Sequence, residues 1–474
     1  MPVGGYVGDY DGHWSERGLT ESIHIAGIGG TFMAGLALIA RECGYTIQGS
    51  DQSLYPPMST LLAQEGIPLF EGYQPDAIAP ETSLCVIGNA LSRGNPLVEH
   101  ILAQRLPYTS GPQWLRQTLI PARRVLAIAG THGKTTTSSM ASFILDRSDR
   151  QPGFLIGGIP GNFSSSARLG LGDWFVIEAD EYDTAFFDKR SKFLHYRPDI
   201  LVIGNVEFDH GDIFDSLGDI EKQFGYLLRS VPKDGEVIIN ADDSGIGRIL
   251  KRGCWSRVTS YSAQDDTADW FAKPLSADCR AFDVFCQGQH VGTVDWNIMG
   301  AHNMLNALAA IASCRAVGVE GQTACRELRD FQLPKRRLER LNPTGSIALF
   351  DDFAHHPTAV RETLTTLRQA SPSGQLIAVL EPRSNTMKRG DHQDDLASAL
   401  SLADVAIVRQ RSDMGWDPGA LALHPNRTKL LVLEDINAIV DSVVKTARPG
   451  DQVVIMSNGS FDGLNDLIHQ ALPA

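Results

Sequence analysis

The sequence predicts an α/β protein of three consecutive domains, each with a mostly parallel sheet, and three observations lead to this fold class. First, the chain has 474 residues, and single hydrophobic cores rarely grow to that length. Second, short apolar runs alternate with helical stretches along the chain, which is typical of parallel sheets covered on both faces. Third, the first and last segments each contain a β-α-β pattern of their own.

The first predicted domain covers residues 20–120 and begins with a β-α-β unit. An apolar strand leads into Gly27-x-Gly29-x-x-Phe32 and a helix, and Asp51 ends the next strand. Phe32 stands where the dinucleotide-binding fingerprint has its third glycine, so the match is partial. This turn predicts a pyrophosphate-binding site, and tight packing of the helix on the strand is the alternative.

The second predicted domain covers residues 121–341 and contains the most informative motif of the chain. Gly130-x-x-Gly133-Lys134-Thr135 separates an apolar strand from a helix. Small glycines let the backbone approach a phosphate, and the helix N-terminus adds positive potential. Lys134 would hold the β- and γ-phosphates of ATP, and Thr135 would ligate Mg²⁺. The strict motif has a further glycine upstream that this chain lacks, so an ordinary strand-to-helix turn is the alternative.

Acidic residues follow the next apolar strand at Glu178, Asp180, Glu181 and Asp183. So many carboxylates beside a nucleotide would be unfavourable without a cation, and Mg²⁺ takes carboxylates together with phosphates. A solvated acidic loop is the alternative. His210 follows a further strand and could ligate the same metal or contact a phosphate, although a lone histidine is more often structural.

Two polar groups later in this domain complete the predicted nucleotide site. Asn303 and Asn306 stand three positions apart, hence on one face at the start of an alanine-rich helix. Their amides suit a base or a phosphate network, and capping of the helix is the alternative. Arg337 belongs to a short basic run near the domain boundary. Such runs are usually solvated, but an arginine over a transferring phosphoryl group neutralises its developing charge.

The third predicted domain covers residues 342–474 and is again a doubly wound α/β unit. Its strands are predicted at residues 347–352, 375–380, 404–408, 429–433 and 452–456. In such sheets, functional residues gather at the carboxyl ends of the strands. Asp352 and Arg383 stand at or just after two of these ends. Arginine binds carboxylates bidentately, so Arg383 is suited to an acidic substrate.

Composition excludes several classes of function. The chain has 42 basic and 56 acidic residues and a net charge of −14, which argues against a nucleic-acid-binding surface. Its seven cysteines are scattered without a C-x-x-C pair, so neither a disulfide framework nor a zinc ribbon is predicted. No apolar run reaches the about 18 residues of a membrane helix, and the glycine-rich residues 1–21 have no apolar core. We expect a soluble, cytoplasmic protein without membrane insertion.

In this order, the motifs resemble those of the Mur ligase family, ATP-dependent amide ligases of peptidoglycan synthesis. The resemblance extends from Gly27 to the last strand. It implies an N-terminal Rossmann-like UDP-binding domain, a central P-loop ATPase-like domain and a C-terminal Rossmann-like domain. It also places seven residues on functional positions shared by the family, namely Lys134, Glu178, His210, Asn303, Asn306, Arg337 and Asp352.

The resemblance implies a site for each ligand. Catalytic roles fall on Lys134, His210 and Arg337, and Mg²⁺ would be bound by Thr135, Glu178 and His210. The UDP-sugar would contact Gly27, Gly29, Gly30, Met33 and Asp51. ATP would contact Gly130, Thr131, His132, Gly133, Lys134, Thr135, Thr136, Asn303, Asn306, Arg337 and Asp352.

Two acceptor substrates remain open within the family, free L-alanine and the tripeptide L-alanyl-γ-D-glutamyl-meso-diaminopimelate recovered from old cell wall. The motifs of the third domain resemble the tripeptide-adding branch, and the carboxylates of the tripeptide give an arginine a physical role. The tripeptide would contact His355, Arg383, Ser384, Asn385 and Asn458. Either acceptor would attack an acyl phosphate formed from ATP and UDP-N-acetylmuramate. A nucleotide switch without ligase activity is the alternative from another class.

Overall fold

The computed structural model describes residues 21–371, 373–423 and 428–472. Within these residues the strands form a five-stranded, a ten-stranded and a six-stranded sheet, together with a separate two-stranded hairpin. We call the parts built on the three large sheets the N-terminal, central and C-terminal units. The glycine-rich residues 1–20 lie outside the described residues. In the described part, no helix is long and apolar enough to cross a membrane.

The N-terminal unit has a fully parallel sheet in the order β3-β2-β1-β4-β5. Its strands are β1 Ser22–Ala26, β2 Thr46–Asp51, β3 Leu69–Glu71, β4 Thr82–Ile87 and β5 Tyr108–Ser110. Its helices are α1 Thr31–Glu42, α2 Met58–Gln64, α3 Pro96–Ala103 and α4 Gly111–Thr118. The strand order is Rossmann-like and reverses between β1 and β4, which places the ligand crevice beyond the carboxyl ends of these strands. The predicted β-α-β unit is confirmed.

The central unit is the largest and contains the hairpin. Its strands are β6 Arg124–Ala129, β7 Gly153–Leu155, β8 Ala167–Arg168, β9 Trp174–Ala179, β10 Asp183–Ala185, β11 Asp188–Ser191, β12 Ile200–Ile203, β13 Glu236–Asn240, β14 Arg257–Ser262, β15 Trp270–Pro274, β16 Ala281–Cys286 and β17 Gln289–Asp295. Its helices are α5 Lys134–Arg147, α6 Leu217–Leu228, α7 Ser244–Leu250, α8 Ala301–Val317 and α9 Gly321–Glu327. The sheet order is β17-β16-β15-β14-β13-β12-β6-β9-β7-β8.

The middle of the central sheet is parallel, and its edges are not. Strands β12, β6 and β9 are nearly continuous buried apolar runs, as expected for strands covered on both faces. The predicted alternation of strands and helices holds only in part, because in the described chain no α-helix separates β7 to β12 or β14 to β17, and β15, β16 and β17 pair antiparallel. Alternating polar and apolar residues in β16 fit this arrangement, since one face of an antiparallel edge meets water.

The C-terminal unit has the sheet order β18-β19-β23-β20-β21-β22, parallel except for β18. Its strands are β18 Glu339–Arg340, β19 Ala348–Asp352, β20 Leu376–Leu380, β21 Val405–Arg409, β22 Lys429–Leu433 and β23 Gln452–Met456. Its helices are α10 Pro357–Ala370, α11 Asn385–Arg389, α12 Gln393–Leu400, α13 Ile436–Thr446 and α14 Leu464–Ala471. The domain boundaries stay predictions, and β18 already pairs within this sheet before residue 342.

The units share hydrophobic contacts as well as the chain. One continuous core joins helix α1 of the N-terminal unit to the near face of the central sheet. Gly35 on α1 makes this close approach, because a Cβ there would lie 3.0 Å from Cβ of Ala167 in β8. Helices α5 and α8 cover the other face of the central sheet. The C-terminal sheet has a core on each face.

Candidate active site

A cavity of about 400 Å³ lies at the carboxyl ends of the central strands, where the C-terminal unit contacts the central unit. Residues distant in sequence meet in its wall. Of the residues predicted for ATP, Mg²⁺ and catalysis, the cavity is lined by Thr131, His132, Gly133, Lys134, Thr135, Thr136, Glu178, His210, Asn303, Asn306, Arg337 and Asp352. The structure therefore brings this set together, and the roles of its members stay predictions.

The loop between β6 and α5 has the backbone of a phosphate cradle. Gly133 has φ +77° and precedes the first residue of α5, which has no side-chain cap. The free N-H groups at this helix start face the cavity, as in anion-binding loops. A Cβ on Gly133 would collide with Oδ1 of Asn306. The same oxygen accepts a hydrogen bond of 3.2 Å from the hydroxyl of Thr137, so Asn306 packs directly on the loop.

Asn205 braces this loop from the adjacent strand end. Its Oδ1 accepts from the backbone N-H of His132 at 2.7 Å, and its Nδ2 donates to the carbonyl of His132 at 3.2 Å. The N-H of Thr131 donates to the carbonyl of Asn205 at 3.0 Å. Asn205 was not among the predicted site residues. The sequence feature that points to Asn205 is its position in the polar run directly after β12. Because β12 pairs with β6, the ends of these two strands adjoin, and Asn205 lies next to the loop that follows β6.

Lys134 lies among carboxylates. Its Nζ is 2.6 Å from Oε2 of Glu181 and 3.6 Å from Oδ1 of Asp180. Burial would lower the pKa of Lys134, but the charges of Glu181 and Asp180 raise it above its ordinary value. The lysine is therefore a fixed cation beside the phosphate loop. Glu181, which has 1% of its side chain exposed, was noticed in the acidic run but was not among the predicted ligands.

Glu178 and Thr135 form a second oxygen-rich pair in the cavity. The hydroxyl of Thr135 donates to Oε1 of Glu178 at 3.0 Å, and the N-H of Gly157 donates to Oε2 at 2.7 Å. Burial raises the pKa of Glu178, and the charge of Lys134 opposes this rise. A half-buried carboxylate next to a hydroxyl and this glycine loop is a donor set that suits a hard cation such as Mg²⁺.

His210 adjoins Glu181 rather than the Glu178 pair. Its Nε2 is 3.3 Å from Oε1 of Glu181, and Asp180, Glu181 and His210 form a compact group of possible metal donors. Burial would lower the pKa of His210, but Glu181 and Asp209 raise it to about 9. The imidazole is thus protonated in this arrangement at neutral pH, and it would have to lose its proton to ligate a metal.

Arg337 reaches the cavity from the connection to the C-terminal unit. Its Nη2 donates to Oγ1 of Thr135 at 3.3 Å. Burial lowers the pKa of Arg337, while Asp352 and Glu178 oppose this. The carboxylate of Asp352 accepts from the N-H groups of Leu338 at 2.6 Å and Ala354 at 2.8 Å, so Asp352 holds the connection as well as lining the cavity.

Asn303 and His355 complete the wall of this cavity. Asn303 is buried at the start of α8 and donates to the carbonyl of Met299 at 2.8 Å. His355 was predicted to contact the tripeptide, but the structure places it beside Asp352 in this cavity. Burial lowers the pKa of His355 to about 4, so its imidazole is neutral at physiological pH.

The residues predicted for the UDP-sugar surround the start of α1. Gly27 follows β1 with φ +85°, and α1 has no side-chain cap, which leaves N-H groups for an anion. Asp51 accepts from the N-H of Gly29 at 2.8 Å and from the hydroxyl of Tyr73 at 3.3 Å. Asp51 therefore shapes the glycine turn. Met33 is buried in the core under it.

Four residues predicted for the tripeptide lie at the carboxyl ends of β20 and β23. Arg383 and Asn385 are exposed, and the Arg383 guanidinium lies so close to Gly459 that a Cβ there would overlap it. Ser384 caps α11 by accepting from the N-H of Met387 at 3.3 Å. Among the described residues, the buried Oδ1 of Asn458 has no hydrogen-bond partner. His355, the fifth predicted residue, lines the cavity described above.

A second cavity, of about 460 Å³, opens next to this group and was not predicted. It is lined by Arg409, Gln410, Arg411, Ser412, Glu434 and Asp462. Both arginines contact the buried Oε1 of Glu381, at 3.0 Å and 2.8 Å. Its mixture of guanidinium and carboxylate groups suits a ligand that carries both charges. The cavity depends on β20 and β21 being neighbours, which the sequence pattern does not reveal.

Comparisons with known proteins cover almost the whole chain. Family models described as Mur ligase family, catalytic domain, Mur ligase middle domain, and Mur ligase, glutamate ligase domain match residues 22–122, 128–314 and 336–459. The UDP-N-acetylmuramate–L-alanyl-gamma-D-glutamyl-meso-2,6-diaminoheptandioate ligase of Escherichia coli is 48% identical, over 95% of this chain and 97% of that protein. The UDP-N-acetylmuramate–L-alanine ligase of Rhodopseudomonas palustris is 32% identical, over 93% and 95%.

A solved structure shows the same overall architecture. The crystal structure of a murein peptide ligase from Psychrobacter arcticus has a TM-score of 0.75 and 41% sequence identity, and the match covers 95% of this chain and 98% of that one.

We predict that Asn205→Ala loosens the phosphate loop, because it removes both side-chain bonds to His132. The free energy of unfolding should fall by about 1–3 kcal/mol, since each lost hydrogen bond costs about 0.5–1.5 kcal/mol, and ATP affinity should fall with it. Urea unfolding and titration with a non-hydrolysable ATP analogue measure the two effects. Asn240→Ala is the matched control, because Asn240 lines the same cavity but bonds to the nearby backbone of Asp242. Equal effects of both variants would contradict the bracing role.

Proposed function

The chain belongs to the Mur ligase family, and we propose that it joins the tripeptide L-alanyl-γ-D-glutamyl-meso-diaminopimelate to the lactyl carboxylate of UDP-N-acetylmuramate at the expense of ATP. The observation that carries this proposal is the shared cavity of a phosphate loop, an acidic cluster and the C-terminal unit. The choice of the tripeptide is supported by the 48% identical relative, whose name states that substrate. Recycling of peptidoglycan would supply such a peptide.

The chemistry requires activation of a carboxylate. A carboxylate is a poor electrophile at neutral pH, so the γ-phosphoryl group of ATP passes first to its oxygen, and ADP leaves. The amine of the peptide then attacks the acyl carbon, and phosphate leaves with the carboxyl oxygen as the amide bond forms. The protein contributes mainly by positioning the reactants and neutralising charge.

The cationic side chains of the cavity fit these steps. Lys134 is a buried, protonated cation that would exchange its contact with Glu181 for the phosphates of ATP. Arg337 would stabilise the charge that develops on the phosphoryl group as it is transferred. Asn303 and Asn306 would face the base of ATP, with Asp352 near the ribose. His355 shares this wall, so we assign it to the nucleotide rather than to the peptide.

The donor sets of the cavity fit Mg²⁺. Thr135 and Glu178 offer a hydroxyl and a carboxylate beside the phosphate loop, and hard oxygen donors of this kind bind Mg²⁺ together with phosphates. Asp180, Glu181 and His210 form a second group on the same side of the cavity. Bound Mg²⁺ would neutralise phosphate charge that the carboxylates would otherwise repel.

The diphosphate of the sugar nucleotide would bind at the uncapped start of α1. The turn Gly27 to Gly30 precedes this helix, and small residues there let the backbone approach a pyrophosphate. Asp51 would act through the turn, because its carboxylate already holds the N-H of Gly29. Phe32, on the first turn of α1, faces the central unit, since Nζ of Lys192 is 5.9 Å from its ring.

The geometry of the C-terminal sheet supports a long acceptor. Its strands run in the order β19-β23-β20-β21, and neighbouring strands lie about 4.8 Å apart, so three spacings span about 14 Å. Asp352 ends β19 in the nucleotide cavity, whereas Arg411 follows β21 in the second cavity. An extended tripeptide can cover this distance and bring its zwitterionic end to the arginines. Free alanine cannot do so.

We also propose a cytoplasmic location. The seven cysteines are unpaired in the structure, which suits a reducing compartment. ATP, the second substrate of the proposed reaction, is available there.

The identity of the acceptor substrate can be tested by measuring phosphate release in the presence of ATP, Mg²⁺ and UDP-N-acetylmuramate. The assay is run once with the tripeptide and once with free L-alanine. We expect turnover with the tripeptide and a product whose mass equals both substrates less water. Turnover with alanine alone would instead make the chain an alanine ligase. ATP hydrolysis that needs neither acceptor would favour a nucleotide switch.

We predict that Lys134→Ala lowers kcat by at least about 100-fold, or about 2.7 kcal/mol, because a preorganised cation beside the phosphates is lost. Lys189→Ala is the matched control. Lys189 pairs with Asp183 of the same acidic region at 2.6 Å, but its side chain is 68% exposed and lies outside the cavity. Steady-state turnover of both variants is compared with that of the unaltered protein. Near-normal turnover of Lys134→Ala would refute the assignment.

We predict that Arg383→Ala raises KM for the tripeptide by about 10-fold or more, because a hydrogen-bonded charged contact is worth about 1.5–3 kcal/mol. KM for UDP-N-acetylmuramate should stay within about twofold of its original value, since that ligand binds in another unit. Arg361→Ala serves as control, as Arg361 is an exposed arginine of the same unit whose Nη1 donates to Ser398. Equal changes in both KM values would show that Arg383 is structural.

A further inference from the structure

A group of imidazoles and one carboxylate lies where the central unit contacts the C-terminal unit. His132 and Glu207 belong to the central unit, and His356 belongs to the C-terminal unit. Nε2 of His132 is 3.1 Å from Oε2 of Glu207, and Nδ1 of His356 is 3.4 Å from the same oxygen. The three donor atoms all lie within 4.8 Å of one another. None of these residues belongs to the Asp180, Glu181 and His210 group.

The hydrogen bonds of His356 define which nitrogen carries its lone pair. Its Nε2 lies 3.2 Å from the carbonyl of Phe208 and donates to it, because a carbonyl can only accept. Its Nδ1 accepts from the N-H of Thr358 at 3.3 Å. The single lone pair of Nδ1 is thus engaged by this long hydrogen bond, while Oε2 of Glu207, which is itself an acceptor, lies 3.4 Å from the same nitrogen.

Charge makes this contact unusual. Burial lowers the pKa of His356 to about 3, so the imidazole is neutral at physiological pH. Burial would raise the pKa of Glu207, but the hydrogen bond and charge of His132, together with the hydrogen bond from Thr358, hold it below its ordinary value. A neutral nitrogen and a carboxylate oxygen thus lie 3.4 Å apart in a partly buried place. A cation between them would replace Thr358 as the partner of Nδ1 and would pair with the carboxylate.

We propose that His132, Glu207 and His356 form a binding site for a divalent transition metal ion, with Zn²⁺ as the best fit. Two imidazoles and one carboxylate are a common zinc ligand set. In a tetrahedral site with metal–ligand bonds of about 2.0–2.1 Å, neighbouring donors are about 3.3 Å apart. The separations of 3.1 Å and 3.4 Å agree with this spacing. Small side-chain movements would complete the site, with water as the fourth ligand.

The surroundings of the donors resemble those of protein metal sites. The second nitrogen of His356 is held by a backbone carbonyl, and the carboxylate of Glu207 accepts from the hydroxyl of Thr358 at 2.6 Å. Outer contacts of this kind fix the tautomer and orientation of metal ligands. The backbone of His132 is fixed by Asn205.

A metal ion at this position would affect the contact between the two units. Its ligands come from two units, so a bound ion would fasten the C-terminal unit to the central unit. If the chain works as proposed above, the nucleotide lies between these units, and release of products requires them to separate. Zn²⁺ would then inhibit turnover by holding the closed arrangement, and excess Mg²⁺ would not relieve the inhibition.

The test is Zn²⁺ binding to the full-length, nucleotide-free protein, measured by competition with a chromophoric chelator. We expect one tight site and a higher unfolding temperature with Zn²⁺, because a ligand of the folded state stabilises it. Glu207→Gln and His356→Gln should each weaken binding by more than about 100-fold, since loss of an outer-shell partner alone costs about 10- to 100-fold. Circular dichroism confirms that each variant is folded.

Two further variants provide matched controls. His392 also lies 3.1 Å from the carbonyl of Phe208 and packs on His356, but it is outside the donor set. His392→Gln should therefore keep the tight site. His210→Gln should keep it as well, because His210 belongs to the other donor group.

Three results would overturn the proposal. They are the absence of a tight Zn²⁺ site in the unaltered protein, unchanged binding in both Glu207→Gln and His356→Gln, and loss of binding in His210→Gln. Because the readout is binding, it is independent of ligase activity. A failure of the proposed reaction would therefore leave the outcome of this test intact.

Discussion

The active site depends on one short segment, Asn205–Gly211, which follows the central strand β12 and is hydrogen-bonded on two sides. On one side, Asn205 holds the phosphate loop through both polar groups of the His132 backbone. On the other side, the segment contacts the C-terminal unit. The carboxylates of Glu207 and Asp209 accept hydrogen bonds from the hydroxyl groups of Thr358 and Thr386. The same segment thus contacts both the loop before α5 and the C-terminal unit.

The charges in the cavity balance because Lys134 lies close to two carboxylates. Burying Lys134 is unfavourable by itself, and the carboxylates of Glu181 and Asp180 offset this cost. The two acidic groups would in turn repel a nucleotide, unless Lys134 turns to the phosphates and a cation satisfies the carboxylates. The ion pairs of Lys134 are thus contacts that the reactants would replace. Such a site exchanges partners instead of creating new buried charges, which keeps the cost of binding low.

The sequence could predict what depends on local pattern. The strand-glycine-helix order around Lys134 was enough to predict a phosphate loop, and strand ends were sufficient to place Glu178 in the same cavity. Features that depend on the order of strands in a sheet could not be predicted from the sequence. Asn205 acts because β12 lies next to β6, and the second cavity forms because Arg411 follows a neighbour of β20. His355 follows Asp352 by three residues, yet only the turn into α10 shows that both line the cavity at the ends of the central strands.

The connection between the central and C-terminal units explains how closure can control the chemistry. Arg336 and Leu338 have φ angles of +61° and +52°, a conformation that costs about 1–3 kcal/mol each for such residues. Contacts with strand β19 of the C-terminal unit hold it, since Arg336 pairs with Asp351 at 3.0 Å and the N-H of Leu338 donates to Asp352. Arg337, between them, points back to Thr135. The contacts of Arg336 and Leu338 lie within the C-terminal unit, so Arg337 would move with that unit, and separation of the units would withdraw its guanidinium from the cavity. An acyl phosphate would then form only in a closed site, where water is excluded and the acceptor amine is in place.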